Sequence, residues 1–305
     1  MSFSLDKIPS QKGRIAVVTG ANTGLGYETA LGLASKGAKV IMACRNEDKA
    51  NQAMADIRKS VTDADLDFIR LDLNSLKSVR EFAKAYAEKY DKLDLLINNA
   101  GLMIPPLMRT EEGFESQFGV NHLGHFLLTN LLFPIVNKTE NARIVSLSSI
   151  AHKSGRIQFD DPNWENSYSR GDAYNQSKVA CLIFAYELQR RLNDADSSVI
   201  SVAAHPGVSN TELGRYVPKL IYTLFTPLIP LVTHSPKEAA KPTLMAALDE
   251  NVVGGDYYGP TGFNEMKGKP GKAFSTGYSK KRGVAEKLWE LSQKLTGQEF
   301  KIEKK

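Results

Sequence analysis

The sequence predicts an α/β fold: one doubly wound domain, with a parallel sheet of about seven strands and helices on both faces. Three observations predict it. Strand-like and helix-like segments alternate from residue 14 to about 258. The strand segments are nearly continuous Val/Ile/Leu runs, as parallel strands covered on both faces require. A glycine-rich turn joins the first strand to the first helix at residues 19–26.

RIAVVT (14–19) is a short buried strand, and the helix after it runs to about Lys36. Gly37 fits a helix stop before AKVIMAC (38–44), the second strand. A polar helix over 46–60 leads to LDFIRLDL (66–73), and a charged helix over 75–90 to LDLLINNAG (93–101). The helix over 113–137 precedes ARIVSLSS (142–149). In AYNQSKVACLIFAYELQRRL (173–192), Val179, Leu182, Ile183, Tyr186 and Leu188 recur at helical intervals. SSVISVAAHPG (197–207), a helix near 236–249 and GDYYG (255–259) complete the pattern. No repeat or composition break divides the chain, so residues 1–305 read as one domain with a carboxy-terminal extension from about 260. The connections 150–172 and 208–235 are long and both follow strands, at the sheet end where ligands bind in open α/β folds.

The chain has 305 residues, 42% hydrophobic and 24% charged, which suits a globular protein whose core needs no staples. Its formal net charge of +5 is scattered apart from the KIEKK tail, and no aromatic-plus-basic stripe accompanies it. The charge reads as mild attraction for an anionic small molecule, with no nucleic acid partner expected. Cys44 and Cys181 fit no metal or redox spacing and read as buried thiols in a reducing compartment. Residues 1–14 lack the apolar core of a signal peptide, and the apolar run 220–232 is too short and proline-broken to span a bilayer. A cytoplasmic protein without an integral membrane segment is the expectation. His122 and His125 lie three apart on one predicted helix without a third ligand, so no metal site is expected.

The turn TGANTGLG (19–26) carries chemistry. Gly20, Gly24 and Gly26 allow a tight turn and close approach of the backbone to a pyrophosphate, at the positive end of a helix dipole. Its place between first strand and first helix predicts a dinucleotide site in a Rossmann-type fold. At the end of the second strand an NAD site usually has an acid for the ribose 2′-hydroxyl. Here Arg45 stands there, and a guanidinium suits a 2′-phosphate, so NADP(H) is preferred over NAD(H). The alternative is a solvated arginine, with Glu47 or Asp48 serving the ribose.

Tyr174 and Lys178 stand four apart on one face of a helix. A phenol, ordinarily titrating near 10, is a poor proton shuttle at neutral pH, and a cation within reach favours its phenolate. The spacing places Lys178 to tune Tyr174.

Together with TGANTGLG, the motifs NNAG (98–101), VNHLGHF (120–126), SLSS (146–149), YNQSK (174–178) and HPGVSNT (205–211) occur in the order and spacing of one family. The chain resembles the short-chain dehydrogenases/reductases over nearly its whole length. TGANTGLGYETA, ACRNEDKA, SSIAHKSGRI and AAHPGVSNTEL are similar to the retinol dehydrogenase-like and protochlorophyllide reductase-like branch.

The resemblance implies roles. Tyr174 is the general acid or base, Lys178 also holds the nicotinamide ribose, and Ser149 donates to the substrate oxygen, with Ser148 as the alternative. Asn121 binds a water that completes a proton relay. Gly20, Asn22, Thr23, Gly24, Leu25 and Gly26 cradle the cofactor, and Asp72 with Leu73 meets the adenine. Asn99, Ala100 and Gly101 flank the adenosine ribose, whereas Asn98 can be structural. Pro206 and Gly207 let the backbone pass the nicotinamide, and the Val208 backbone and Thr211 hydroxyl hold its carboxamide. His152 borders this site without an assigned role.

Residues 212–235 form an apolar lid that favours a hydrophobic or bulky carbonyl or alcohol substrate; an oligomer contact or membrane-surface patch is the competing reading. The implied reaction is NADP(H)-dependent hydride transfer. Reduction of an activated C=C bond, or a non-catalytic NADP-binding sensor or scaffold, are the alternatives. Helices 113–137 and 173–192 pair across subunits in many relatives, so a homodimer or homotetramer is allowed.

Overall fold

Each strand-like segment read between residues 14 and 259 becomes a strand of one sheet in the computed structural model, which describes residues 3–208, 234–302 and 304. In chain order the strands are β1 (Ile15–Thr19), β2 (Lys39–Cys44), β3 (Leu66–Arg70), β4 (Leu95–Asn98), β5 (Arg143–Leu147), β6 (Ile200–Ala204), β7 (Tyr257–Pro260) and β8 (Pro270–Lys272). Their spatial order is β3–β2–β1–β4–β5–β6–β7–β8. The pairs from β3 through β7 are parallel, and β8 joins β7 antiparallel. The sequence reading accounts for the seven parallel strands. It has no signal for β8, whose three residues, Pro-Gly-Lys, carry no hydrophobic pattern.

The helices are α1 (Gly24–Ser35), α2 (Glu47–Ser60), α3 (Leu76–Lys89), a composite α4, α5 (Arg170–Asp194), α6 (Pro236–Leu248) and α7 (Arg282–Thr296). The composite α4 opens with Ser116–Phe118, passes through a π-helical turn at Gly119–Leu123 and continues as Gly124–Val136. Helix α5 starts three residues earlier than its apolar periodicity indicates, because Ser169 caps it by accepting from the Asp172 N–H. Asn46, Ser75 and Ser235 cap α2, α3 and α6 in the same way.

Successive residues of a strand face opposite sides, so a strand covered twice must be apolar throughout. On β1, Val17 enters the core beneath α3, α4, α5 and α7. Ala16 and Val18 enter the one beneath α1, α2 and α6. Helices α1 and α6 approach closely at Gly32, where an added Cβ would lie 2.8 Å from Leu244. In the carboxy-terminal extension, α7 lays Leu288 and Trp289 against α4 and α5, with its end capped by Gly297 at φ +62°. Strand order reverses between β1 and β4, each adding its neighbours on opposite sides, and that reversal sets the site at the carboxyl ends of the strands.

Candidate active site

The turn after β1 holds Gly20 at φ +65° and Gly24 at φ +55°, both in the left-handed region that side chains disfavour. A Cβ on Gly26 would fall 2.2 Å from the Gly20 carbonyl, so the turn closes only without one. Thr23, the N-cap of the twelve-residue α1, makes no side-chain bond to the first turn. An open helix N-terminus behind a bare glycine backbone fits a pyrophosphate. The residues present therefore fit a dinucleotide. Cys44 supports the turn from below: its buried thiol takes backbone hydrogen bonds from Ala21 and Asn22, and burial pushes it up to about 12.

Thr19 ties this turn to the end of β4. Its Oγ1 accepts from the N–H groups of Asn99 and Ala100, both at 2.9 Å, and Asn99 Nδ2 returns a bond to the Thr19 carbonyl at 2.8 Å. Asn98 points the other way and donates to Thr129 Oγ1 at 3.0 Å, buried. The sequence reading left Asn98 open as a structural residue; this bond gives it a partner in the core. Arg45 lies just past β2, largely exposed, 4.0 Å from Asp72. Asp72 itself accepts from Asn74 N–H, and Leu73 is buried against Gly124, which leaves Leu73 only its backbone for a ligand.

A cavity of about 680 Å³ opens where β4, β5 and β6 end, lined by Leu25, Asn99, Gly101, Ser149, Tyr174, Lys178, Pro206, Gly207 and Val208 among others. Tyr174 and Lys178 are 8% and 6% exposed, on the first turns of α5. The Lys178 ammonium sits 5.9 Å from the Tyr174 ring centroid and donates to the Leu147 carbonyl at 3.2 Å. Of the three serines in SLSS, Ser148 and Ser149 part company here. Ser148 is buried and spends its hydroxyl proton on the Lys178 carbonyl at 2.7 Å. Ser149 Oγ accepts from the Ala151 N–H at 3.2 Å, which leaves its own O–H to donate elsewhere.

Asn121 stands in the π turn behind this wall. It accepts from Leu102 N–H and donates to Leu102 O and Ser177 Oγ. A Cβ on Gly101 would lie 3.1 Å from Asn121 Oδ1 and 3.5 Å from Lys178 Nζ, so a side chain there would crowd Asn121. The Val208 N–H is donated to Met266 O and its carbonyl accepts from His234 N–H, so both backbone groups are engaged within the chain. Thr211 and most of the lid, 209–233, lie outside the described residues.

Several supporting residues escaped the sequence reading. His125 Nδ1 donates to the Asn121 carbonyl at 2.9 Å, and its Nε2 pairs with Thr19 Oγ1 at 2.9 Å, linking Asn121 to the glycine turn. Burial holds this imidazole down to about 4, so it stays neutral and keeps the tautomer those bonds need. His122, in turn, meets Ser292 of α7 at 2.7 Å. His152 is fully buried and donates through Nδ1 to the Ser149 carbonyl at 2.7 Å, steadying the backbone that presents the serine. Its neighbours are Tyr257 and His205, whose rings pack against each other with centroids 5.0 Å apart. A histidine one turn after the serine was the only signal for it.

A family model described as short chain dehydrogenase matches residues 14–219. The chain is 44% identical over 294 residues to Retinol dehydrogenase 13 of Homo sapiens, covering 94% of this chain and 86% of that one. Against Retinol dehydrogenase 14 of Homo sapiens it is 39% identical over 302 residues, covering 93% and 87%. A solved structure of an uncharacterized protein from Mycobacterium Paratuberculosis is 39% identical, covers 99% of this chain and 100% of its own, and superposes with a TM-score of 0.81. The Pseudomonas aeruginosa RhlG/NADP active-site complex shares the fold at TM-score 0.65 and 23% identity, over 81% of this chain and 94% of its own. With its glycine turn, its reversed strand order and its tyrosine and lysine at one cavity, the chain belongs to the short-chain dehydrogenase/reductase family and is an oxidoreductase similar to the retinol dehydrogenases.

Proposed function

We propose that the protein is an NADP(H)-dependent oxidoreductase that interconverts a hydrophobic carbonyl compound and its alcohol. One observation carries the reading: the free Ser149 hydroxyl, Tyr174 and Lys178 line one cavity at the end of the dinucleotide turn. The nicotinamide, when bound, supplies or accepts the hydride. Tyr174 gives its phenolic proton to the developing alkoxide in reduction and takes it back in oxidation. Ser149 donates to the same oxygen and stabilises the charge growing there. Lys178, whose ammonium donates to the Leu147 carbonyl beside the phenol, lies where it can also hold the nicotinamide ribose. Asn121 keeps the wall behind Lys178 in register through Leu102 and Ser177, where a water can pass the proton on.

Arg45 supports the preference for NADP(H): its guanidinium lies largely open to solvent just past β2, where a 2′-phosphate would lie, with the Asp72 carboxylate no nearer than 4.0 Å. The apolar wall of Met103, Ile104, Ile150 and Met266 supports a hydrophobic substrate. No helix among the described residues is long and apolar enough to cross a membrane, and both cysteines are free thiols, which fits a cytoplasmic setting.

The test is turnover of decanal, followed by oxidation of NADPH and, separately, of NADH. The expected result is faster turnover with NADPH and a loss of about 10²–10⁴-fold in kcat for Tyr174→Phe, with NADPH affinity retained. Indifference of that variant, with cofactor binding intact, would point to a non-catalytic NADP-binding role and sink the reading.

A further inference from the structure

One wall of the cavity is strained. Ile104 has φ +53°, a left-handed conformation that a β-branched side chain rarely adopts, and it directly precedes Pro105. Such strain persists only where the surroundings impose it, and it gathers at ligand clamps. Here the surroundings can be named. Gln117, fully buried on the first turn of α4, accepts from the Ile104 N–H through Oε1 at 2.9 Å. Its Nε2 donates to Tyr168 Oη and to the Arg170 carbonyl, both at 3.1 Å. Tyr168 Oη in turn donates to the Pro105 carbonyl at 3.0 Å. Burial first, then the charge of Glu115, push that phenol up to about 12, so it remains a donor.

Four residues further along α4, Asn121 holds both backbone groups of Leu102. Helix α4 thus grips the segment after β4 at alternate residues, 102 and 104, on the same edge. The grip at 102 keeps the wall behind Lys178. The grip at 104 turns an isoleucine into the lining of the cavity that Ser149 and Ile150 also line.

We propose that Ile104, held left-handed by Gln117, is a specificity-determining residue that narrows the substrate end of the cavity. It admits unbranched apolar carbonyl compounds and disfavours those with rings or branches next to the carbonyl. Gln117 is a positioning residue that acts through Ile104. The proposal rests on the oxidoreductase reading and deepens it by naming the shape of substrate.

The experiment compares decanal with benzophenone as substrates of the NADPH-loaded protein. Binding of each is also measured by calorimetry, which needs no turnover. Ile104→Ala is expected to raise kcat/KM for benzophenone relative to decanal by about tenfold, within the range a few methylenes command in an apolar pocket. Gln117→Met, which frees Ile104, is expected to move the ratio the same way, through KM rather than kcat. Ile104→Gly is expected to melt at a higher temperature than Ile104→Ala, because only glycine occupies that conformation without cost. A benzophenone-to-decanal ratio unchanged within twofold in both Ile104 variants, by turnover and by binding, overturns the proposal; so does a glycine variant that is no more stable than the alanine one. If the wild type binds both compounds and reduces neither, the oxidoreductase reading fails instead, and the binding ratio alone decides the role of Ile104.

Discussion

Ser148 and Ser149 carry the same hydroxyl and are bonded in opposite ways. The first is locked to the Lys178 carbonyl inside the core, and the second keeps a proton to give. Ser149→Ala should therefore lower kcat by about 10²–10³-fold, the usual cost of removing one oxyanion donor. Ser148→Ala removes one buried hydrogen bond to a carbonyl that α5 also pairs within the helix, and should cost about 0.5–1.5 kcal/mol of stability. Steady-state kinetics and urea unfolding of both variants separate the two; a larger kcat loss in Ser148→Ala would reverse the assignment. Sequence placed both serines at the end of one strand and preferred Ser149 by resemblance alone, because which hydroxyl is spent depends on the carbonyl of a residue 30 positions away. Tyr174 and Lys178 were legible because helical spacing by itself puts them together. Ile104 and His125 were not: the φ angle is held by Gln117 on another element, and the tautomer by the Asn121 carbonyl one turn back on α4 together with Thr19 on β1.

At the scale of elements, the strands before β8 were readable as runs, since burial on both faces leaves no choice of composition. Helix α7 was not read, although Leu288, Trp289 and Ser292 recur at helical spacing and Gly297 ends it. Its polar face dilutes the signal, and the alternating pattern had already closed at β7. Trp289 packs against Phe126, Phe184 and Phe300, with the Arg191 guanidinium 4.3 Å over its ring. Trp289→Ala should cost about 3–5 kcal/mol, as for other large buried aromatics, measured by denaturant unfolding. A loss under about 1 kcal/mol would mean that α7 is an appendage.

For the whole molecule, buried histidines dictate how stability follows pH. Burial holds His122 and His205 down to about 3 and His125 to about 4, against about 6.5 in an unfolded chain. Between those limits the unfolded state binds protons that the folded state refuses, so stability is full above about pH 6.5 and falls as pH drops toward 4. Near pH 5 the three together give a slope of about 4 kcal/mol per pH unit. Glu115, whose carboxyl burial raises, opposes this near its acid end. Unfolding by urea from pH 8 to pH 5 should show the decline, and His122→Gln should flatten it; a level profile would contradict the neutral, buried imidazoles.

Sheet growth is the remaining matter at this scale. An edge strand with unpaired amides is a template on which other chains can assemble. Beyond β7 the ladder ends in β8, three residues long, where Pro260 faces Pro270 and neither carries an amide hydrogen. That border offers almost nothing for a foreign strand to zip onto, which protects the protein from polymerising along its substrate-side edge while it waits for a ligand.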